Sequence, residues 1–251
     1  MRGIFRNGIV GLAVLGTVMT VAPAFAADSF KGNVGAYSKY VLRGITNAPE
    51  NDNTAIQGGL DYSHDSGFYL GYWGSNLGYA YDAAPTNVDG VSNGYENDFY
   101  AGYNASLGDV GVQLGLIQYY YMNVDDSNLT EAVIGATYGP AYAMAQYLLT
   151  DGVWGNAGDI YWKIGFNADL PKKFKINVEG SWYTYEDDDN SELGATTETD
   201  SEFRYVTTTL SHPIGDTGAD MLITYIVGGK DRTDTEQGDM VVMGAKFGFD
   251  I

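Results

Sequence analysis

The residues able to do chemistry in this chain are few, and they are charged. Lys39, Arg43, Asp61, Lys163, Lys175, Glu179, Asp220 and Lys246 fall in stretches where residue type changes at every step. Around Asp61, for example, Ile56, Gly58, Leu60 and Tyr62 share one face, while Ala55, Gln57, Gly59 and Asp61 share the other. Period two is the mark of a strand, because successive side chains point to opposite faces. By this alternation the eight charged residues stand on the face away from the apolar set. If that face lines a water-filled interior, rings of charge select ions by sign and distance. If the charges meet one another instead, they pair and close the interior. Arg43 is the first choice for a residue that shapes the passage.

Other chemistries find little support. A Ser–His or Asp–His active site needs a histidine. The chain has two, His64 and His212, both beside short connections between apolar stretches. Cysteine nucleophiles are excluded because there is no cysteine. No phosphate-cradling loop or compact metal motif appears, and no cofactor is implied. The run Glu186, Asp187, Asp188 and Asp189 offers the clustered oxygens that hard cations favour. Its spacing is not that of an EF-hand loop, and it also reads as a solvated acidic loop.

The elements that must position these residues are strands. The pattern predicts twelve, at 31–43, 54–63, 67–76, 95–106, 110–122, 129–138, 141–150, 158–169, 173–185, 203–212, 218–228 and 239–250. Three of them, 129–138, 141–150 and 203–212, alternate too poorly to be oriented. The connections alternate between long and short, and every odd one is longer than every even one. An outer-membrane barrel sorts its loops this way, with short turns at the periplasmic side and long loops outside. The short connections carry turn chemistry, such as His64-Asp65-Ser66-Gly67 and Gly139-Pro140. Tyr40, Tyr62, Tyr72, Trp73, Tyr119, Tyr120, Tyr121, Trp162, Trp182 and Tyr183 read as interface girdle or barrel wall.

The chain opens with Arg2 and Arg6, an apolar run from Gly8 to Val21 and Ala24-Phe25-Ala26. This is the layout of a cleaved secretory signal at 1–26, with residues 27–251 as the mature domain. Losing Arg2 and Arg6 leaves 11 basic and 32 acidic residues, a formal net charge of −21. Nucleic acid is therefore not a partner, since phosphate contacts need a basic surface. Eighteen of the acids fall in the long connections, opposed only by Lys230 and Arg232. A mouth of that sign concentrates cations and repels anions.

SKYVLRGIT and AIQGGLDYSHDSGFYLGYWGSN carry a resemblance. Over Tyr37–Asn76 the chain resembles the TorF family of outer-membrane porins, at Ser38, Tyr40, Arg43, Gly44, Gln57, Gly58, Gly59, Asp61, Tyr62, Gly67, Tyr69, Gly71, Trp73, Ser75 and Asn76. Gly244, Phe247 and Phe249 resemble the Gly-x-x-aromatic-x-aromatic tail read by barrel-assembly machinery, although two residues, Asp250 and Ile251, follow it. The resemblance implies a passive pore for small solutes or ions, set among outer-membrane lipid and lipopolysaccharide. The expected fold is all-β, an up-and-down transmembrane antiparallel β-barrel of about twelve strands. The alternative is a closed barrel acting through its acidic loops.

Overall fold

The computed structural model describes residues 28–47, 50–78, 94–187, 190 and 192–251. The signal segment lies outside these residues, as do Asp82, Asp89, Asp188 and Asp189.

The strands are β1 (Ser29–Tyr37), β2 (Ala55–Ser63), β3 (Phe68–Asn76), β4 (Tyr95–Leu107), β5 (Val110–Met122) and β6 (Leu129–Tyr138). They continue as β7 (Ala141–Leu148), β8 (Ile160–Asp169), β9 (Lys175–Thr184), β10 (Ser201–Pro213), β11 (Ala219–Gly228) and β12 (Met240–Asp250). Each pairs antiparallel with its sequence neighbours. β1 closes the ring against β12, from Lys31 opposite Asp250 to Tyr37 opposite Gly244. Closure satisfies every backbone group without leaving an edge. The connections at one end hold six residues or more, and those at the other five or fewer. The start of β1 and the end of β12 lie at the short-turn end.

The polarity of the wall is inverted. Ile56, Leu60, Leu70, Leu114, Leu116, Ile134, Ile164, Met221, Ile223 and Met243 are exposed on the outside. Gln57, Ser75, Glu96, Gln113, Glu131, Gln146, Lys163, Thr207 and Thr224 are buried inside. Each large apolar side chain held in water forgoes about 1.5–3 kcal/mol of burial. A continuous belt of them suits hydrocarbon rather than solvent. Aromatic residues rim the belt at both ends. Phe30, Phe68, Tyr103 and Tyr138 lie toward the short turns, and Tyr120, Tyr147 and the stacked Trp162–Trp182 pair lie toward the long loops. The sequence-level aromatic set therefore divides. Tyr62, Tyr72, Tyr120, Trp162 and Trp182 stand outside, while Tyr40, Trp73, Tyr119, Tyr121 and Tyr183 are buried within.

Most strand bounds match expectation to within two residues, with two local differences. First, β1 stops at Tyr37 instead of running to Arg43. The stretch Tyr40-Val41-Leu42 has strand-like residues, but the chain bends inward there and reaches positive φ at Arg43 (48°) and Gly44 (74°). Second, β10 slips register between Phe203 and Tyr205, so Arg204 and Tyr205 are both buried. A bulge of this kind breaks period two, which is why this strand could not be oriented from its pattern. In β6 the inward set is Leu129, Glu131 and Val133, and in β7 it is Met144, Gln146 and Leu148.

Candidate functional site

The lumen is crossed near its long-loop end by the start of the β1–β2 connection. The segment is pinned at several points. Ser38 N donates to Met243 O (2.7 Å), and Asn51 Nδ2 donates to Tyr40 O (2.9 Å). Lys39 Nζ donates to Asn51 O (2.8 Å), and Arg204 Nη2 donates to Arg43 O (3.3 Å). Lys39 thus belongs to the loop rather than to a strand.

Arg43 then reaches the far wall. Its Nη2 donates to Glu131 Oε2 on β6 (2.7 Å) and to Tyr119 OH on β5 (3.0 Å), and its Nη1 donates to Tyr183 OH on β9. The Tyr161 ring of β8 lies 4.4 Å from the guanidinium carbon and the Trp154 ring 5.5 Å. In a ring of twelve strands β5 to β9 stand opposite β1, so the inserted segment and this side chain together cross the passage. Glu131 also accepts from Tyr119 OH (2.8 Å) and Gln146 Nε2 (2.8 Å). Beside this cluster, Glu96 of β4 accepts from Tyr40 OH and from Tyr121 OH (2.8 Å). Both carboxylates are almost wholly buried, at 1% and 0% exposure. Buried charge persists only when paired and hydrogen-bonded. Glu131 is both, through Arg43, Tyr119 and Gln146, while Glu96 is held by two tyrosine hydroxyls.

Toward the short turns the inner face changes character. Glu179 accepts from Tyr142 OH (2.6 Å) and Tyr205 OH (2.8 Å), and Tyr205 OH also meets Tyr161 OH. Asp61 accepts from Tyr100 OH (2.5 Å). Asp220 faces Lys246 across the β11–β12 ladder. These four charged residues are half-exposed, while Lys175 is exposed at the short-turn rim. Tyr69 lies flat along the wall because Gly102 and Gly115 leave room, and any side chain there would collide with its ring or hydroxyl.

Of the eight charged residues picked from the sequence, Asp61, Lys163, Glu179, Asp220 and Lys246 lie on the inner face of strands. Arg43 reaches the lumen from the loop. The sequence reading missed Glu131, Glu96 and the tyrosines that hold Arg43. Glu131 had a signal: it is the one acid in the otherwise apolar LTEAVIGATY, and a lone charge on a membrane strand has to face inward.

The long loops add their own contacts. Arg232 Nη2 donates to Asp159 Oδ2, tying the β11–β12 loop to the one before β8. Burial pushes the Asp159 carboxyl up, against the pull of Arg232 and of the Glu186 and Asn156 backbone N–H groups. Of the acidic run, Glu186 and Asp187 are described, and Glu186 N donates to Asp159 Oδ1 (2.9 Å). With Asp188 and Asp189 outside the described residues, a four-carboxylate site is not assembled on them here. Both histidines sit at the short-turn end. His64 Nδ1 lies 2.8 Å from Ser66 Oγ, and the His212 ring packs on Phe174 at 4.5 Å. Asp28, His64 and Asp65 bring three ligand atoms within 4.8 Å of one another on this surface.

A closed, twelve-stranded antiparallel wall, apolar outside and polar inside, defines the class: a porin-like β-barrel. The chain belongs to the Gcw_chp family, described as a bacterial protein of unknown function, whose model matches residues 22–180. The matched range takes in Tyr37–Asn76, the stretch that resembles the TorF family. No curated protein matches the chain in sequence. Among solved structures it is similar to the KdgM porin, with a TM-score of 0.53 and 8% identity over 87% of this chain and 99% of that one. It is similar also to the NanC porin, with a TM-score of 0.52 and 9% identity over 87% and 99%. At such identities the likeness is one of fold.

Proposed function

We propose that this chain is an outer-membrane porin that lets small solutes or ions diffuse passively through a narrow, charged lumen. The observation that carries the reading is the inverted wall together with the Ser38–Gly44 segment, which crosses the lumen and leaves Arg43 as the constriction. The porin fold of the similar structures supports it, as do the secretory signal and the terminal aromatic tail. On this reading the mature domain is delivered to barrel-assembly machinery and embedded in lipid and lipopolysaccharide, with the acidic loops outside. Twelve strands lie between eight, which side chains fill, and sixteen, which leave a channel. Passage is therefore sieved by the shelf around Arg43, and discrimination comes from the half-exposed charges below it.

The test is single-channel recording of the refolded protein in a planar bilayer under a salt gradient. Discrete small steps are expected, and Arg43→Ala should enlarge them. A second reading, a non-conducting barrel acting through its acidic loops, is favoured by the near-zero exposure of Ser75, Gln113 and Thr224 inside the wall. A protein that shows heat-dependent gel mobility, and so is folded, yet stays electrically silent would establish that reading instead.

A further inference from the structure

Lys163 is buried on the inner face of β8, at 5% exposure, between the outward Trp162 and Ile164. It is the next inward residue below Tyr161, whose ring carries Arg43, so it lies directly under the shelf. Among the described residues it makes no hydrogen bond and no ion pair. Its Cα partners are Met144 on β7, which offers no oxygen, and Ser181 on β9. Ser181 is fully buried, and its hydroxyl also has no partner. The nearby carboxylates are engaged elsewhere. Glu179 accepts from two tyrosine hydroxyls, and Glu131 accepts from Arg43, Tyr119 and Gln146.

A Lys ammonium brings three donors and no acceptor. The Lys163 ammonium keeps contact with the lumen, so its donors stand open to an acceptor that enters. A serine hydroxyl beside it adds a further donor. Two donors of different strand origin, one of them charged, match a group with two acceptor oxygens and a single negative charge. From Lys163 and Ser181 we infer a solute-binding station in the lumen for the carboxylate of a small organic anion. The inference rests on the porin reading for its meaning, since it names the class of solute that pauses below the constriction. The acidic outer loops do not forbid it. At physiological ionic strength charges separated by more than about 8 Å are largely screened, and a solute is also free to enter from the short-turn end.

Gluconate and glucose probe this directly, because they share a carbon skeleton and differ in charge. Equilibrium dialysis of the full folded barrel in detergent should show saturable gluconate binding and none for glucose. Lys163→Gln should weaken gluconate binding about tenfold or more, the weight of one charge-assisted hydrogen bond. Lys163→Arg should retain most of it, and Ser181→Ala should lose part. Each variant is checked for heat-dependent gel mobility. Should Lys163→Gln not fold, the Arg and Ala variants still decide the matter. Equal binding by wild type and variants, or gluconate bound no better than glucose, overturns the station. The same solutes are then added to the bilayer recording. Gluconate binding without conductance keeps the station and defeats the porin reading. Conductance without gluconate binding does the reverse.

Discussion

The two halves of the lumen hold charge in opposite ways. Toward the long loops Arg43 and Glu131 are buried and paired, and Glu96 is buried and held by tyrosine hydroxyls. Toward the short turns Asp61, Asp220 and Lys246 are half-exposed, and Lys31 and Lys175 are exposed. In the first half the charges are structural, since each is committed to a partner in a low-dielectric setting where loss of that partner is expensive. In the second half they sit nearer to water. On the proposed porin reading, the constriction and the charge filter are separate features, placed at different depths by different elements: a loop for the one and strands for the other.

Cutting the Arg43–Glu131 pair should break the first half with the largest effect. Arg43→Ala leaves Glu131 buried and unpaired, a change worth about 3–5 kcal/mol in buried pairs. The temperature at which the band shifts on a semi-native gel should fall clearly, and the Arg43→Ala/Glu131→Gln double variant should recover part of the loss. Equal loss in the single and double variants would mean that the pair does not hold the shelf.

Gly44→Ala should come next. Its φ of 74° disfavours any side chain, and a Cβ there would lie 2.6 Å from the Tyr205 ring. The backbone term alone is about 1–2 kcal/mol. The inserted segment should be pushed off its seat, which larger and noisier single-channel steps would report. Unchanged steps would separate Gly44 from the constriction.

Lys246→Gln should do little to stability, since half-exposed pairs contribute about 0–1 kcal/mol. It removes the positive partner facing Asp220, so the reversal potential under a salt gradient should move toward cation preference. A shift as large in melting as in selectivity would erase the contrast between the two halves.

The smallest effect lies at the end of the β11–β12 loop. Asp239 accepts from Tyr225 OH (2.7 Å) and Gly228 N (3.1 Å), and these bonds hold its carboxyl below the ordinary range. A depressed folded-state value means the anchor is complete above the unfolded carboxyl's titration and is lost as pH falls through the folded one. Hydrogen exchange at the Gly228 amide, corrected for intrinsic rate, should therefore speed up only in that acid range. Asp239→Asn should remove the dependence.

Much of the architecture was legible along the chain. Strands such as 54–63 and 110–122 match β2 and β5 to within a residue, because a membrane wall forces period two wherever lipid and lumen face each other across one sheet. Loop sorting set the long connections at one end and the short ones at the other, as the barrel has them. What failed to show were features without periodicity. Residues 38–43 look like strand by composition, yet they leave the wall, because contacts with β4, β5, β6 and β9 outweigh local preference. The β10 bulge hides two inward residues in succession and so scrambles the pattern that would have oriented it.

By itself, the sequence determined that this chain makes a twelve-stranded barrel with an apolar exterior, because strand period, strand length and turn residues are local properties. It also determined that most of the charge it selected on strands would face inward, since no charge is tolerated at low cost toward hydrocarbon. Only the tertiary structure decided which charges pair. Arg43 is separated from Glu131 by 88 residues, and nothing local links them. They meet because ring closure places the β1–β2 loop opposite β6. The pairing of β8 with β9 likewise sets Lys163 opposite Ser181, whose buried hydroxyl has no partner among the described residues, a neighbourhood that no reading of either strand alone would reveal.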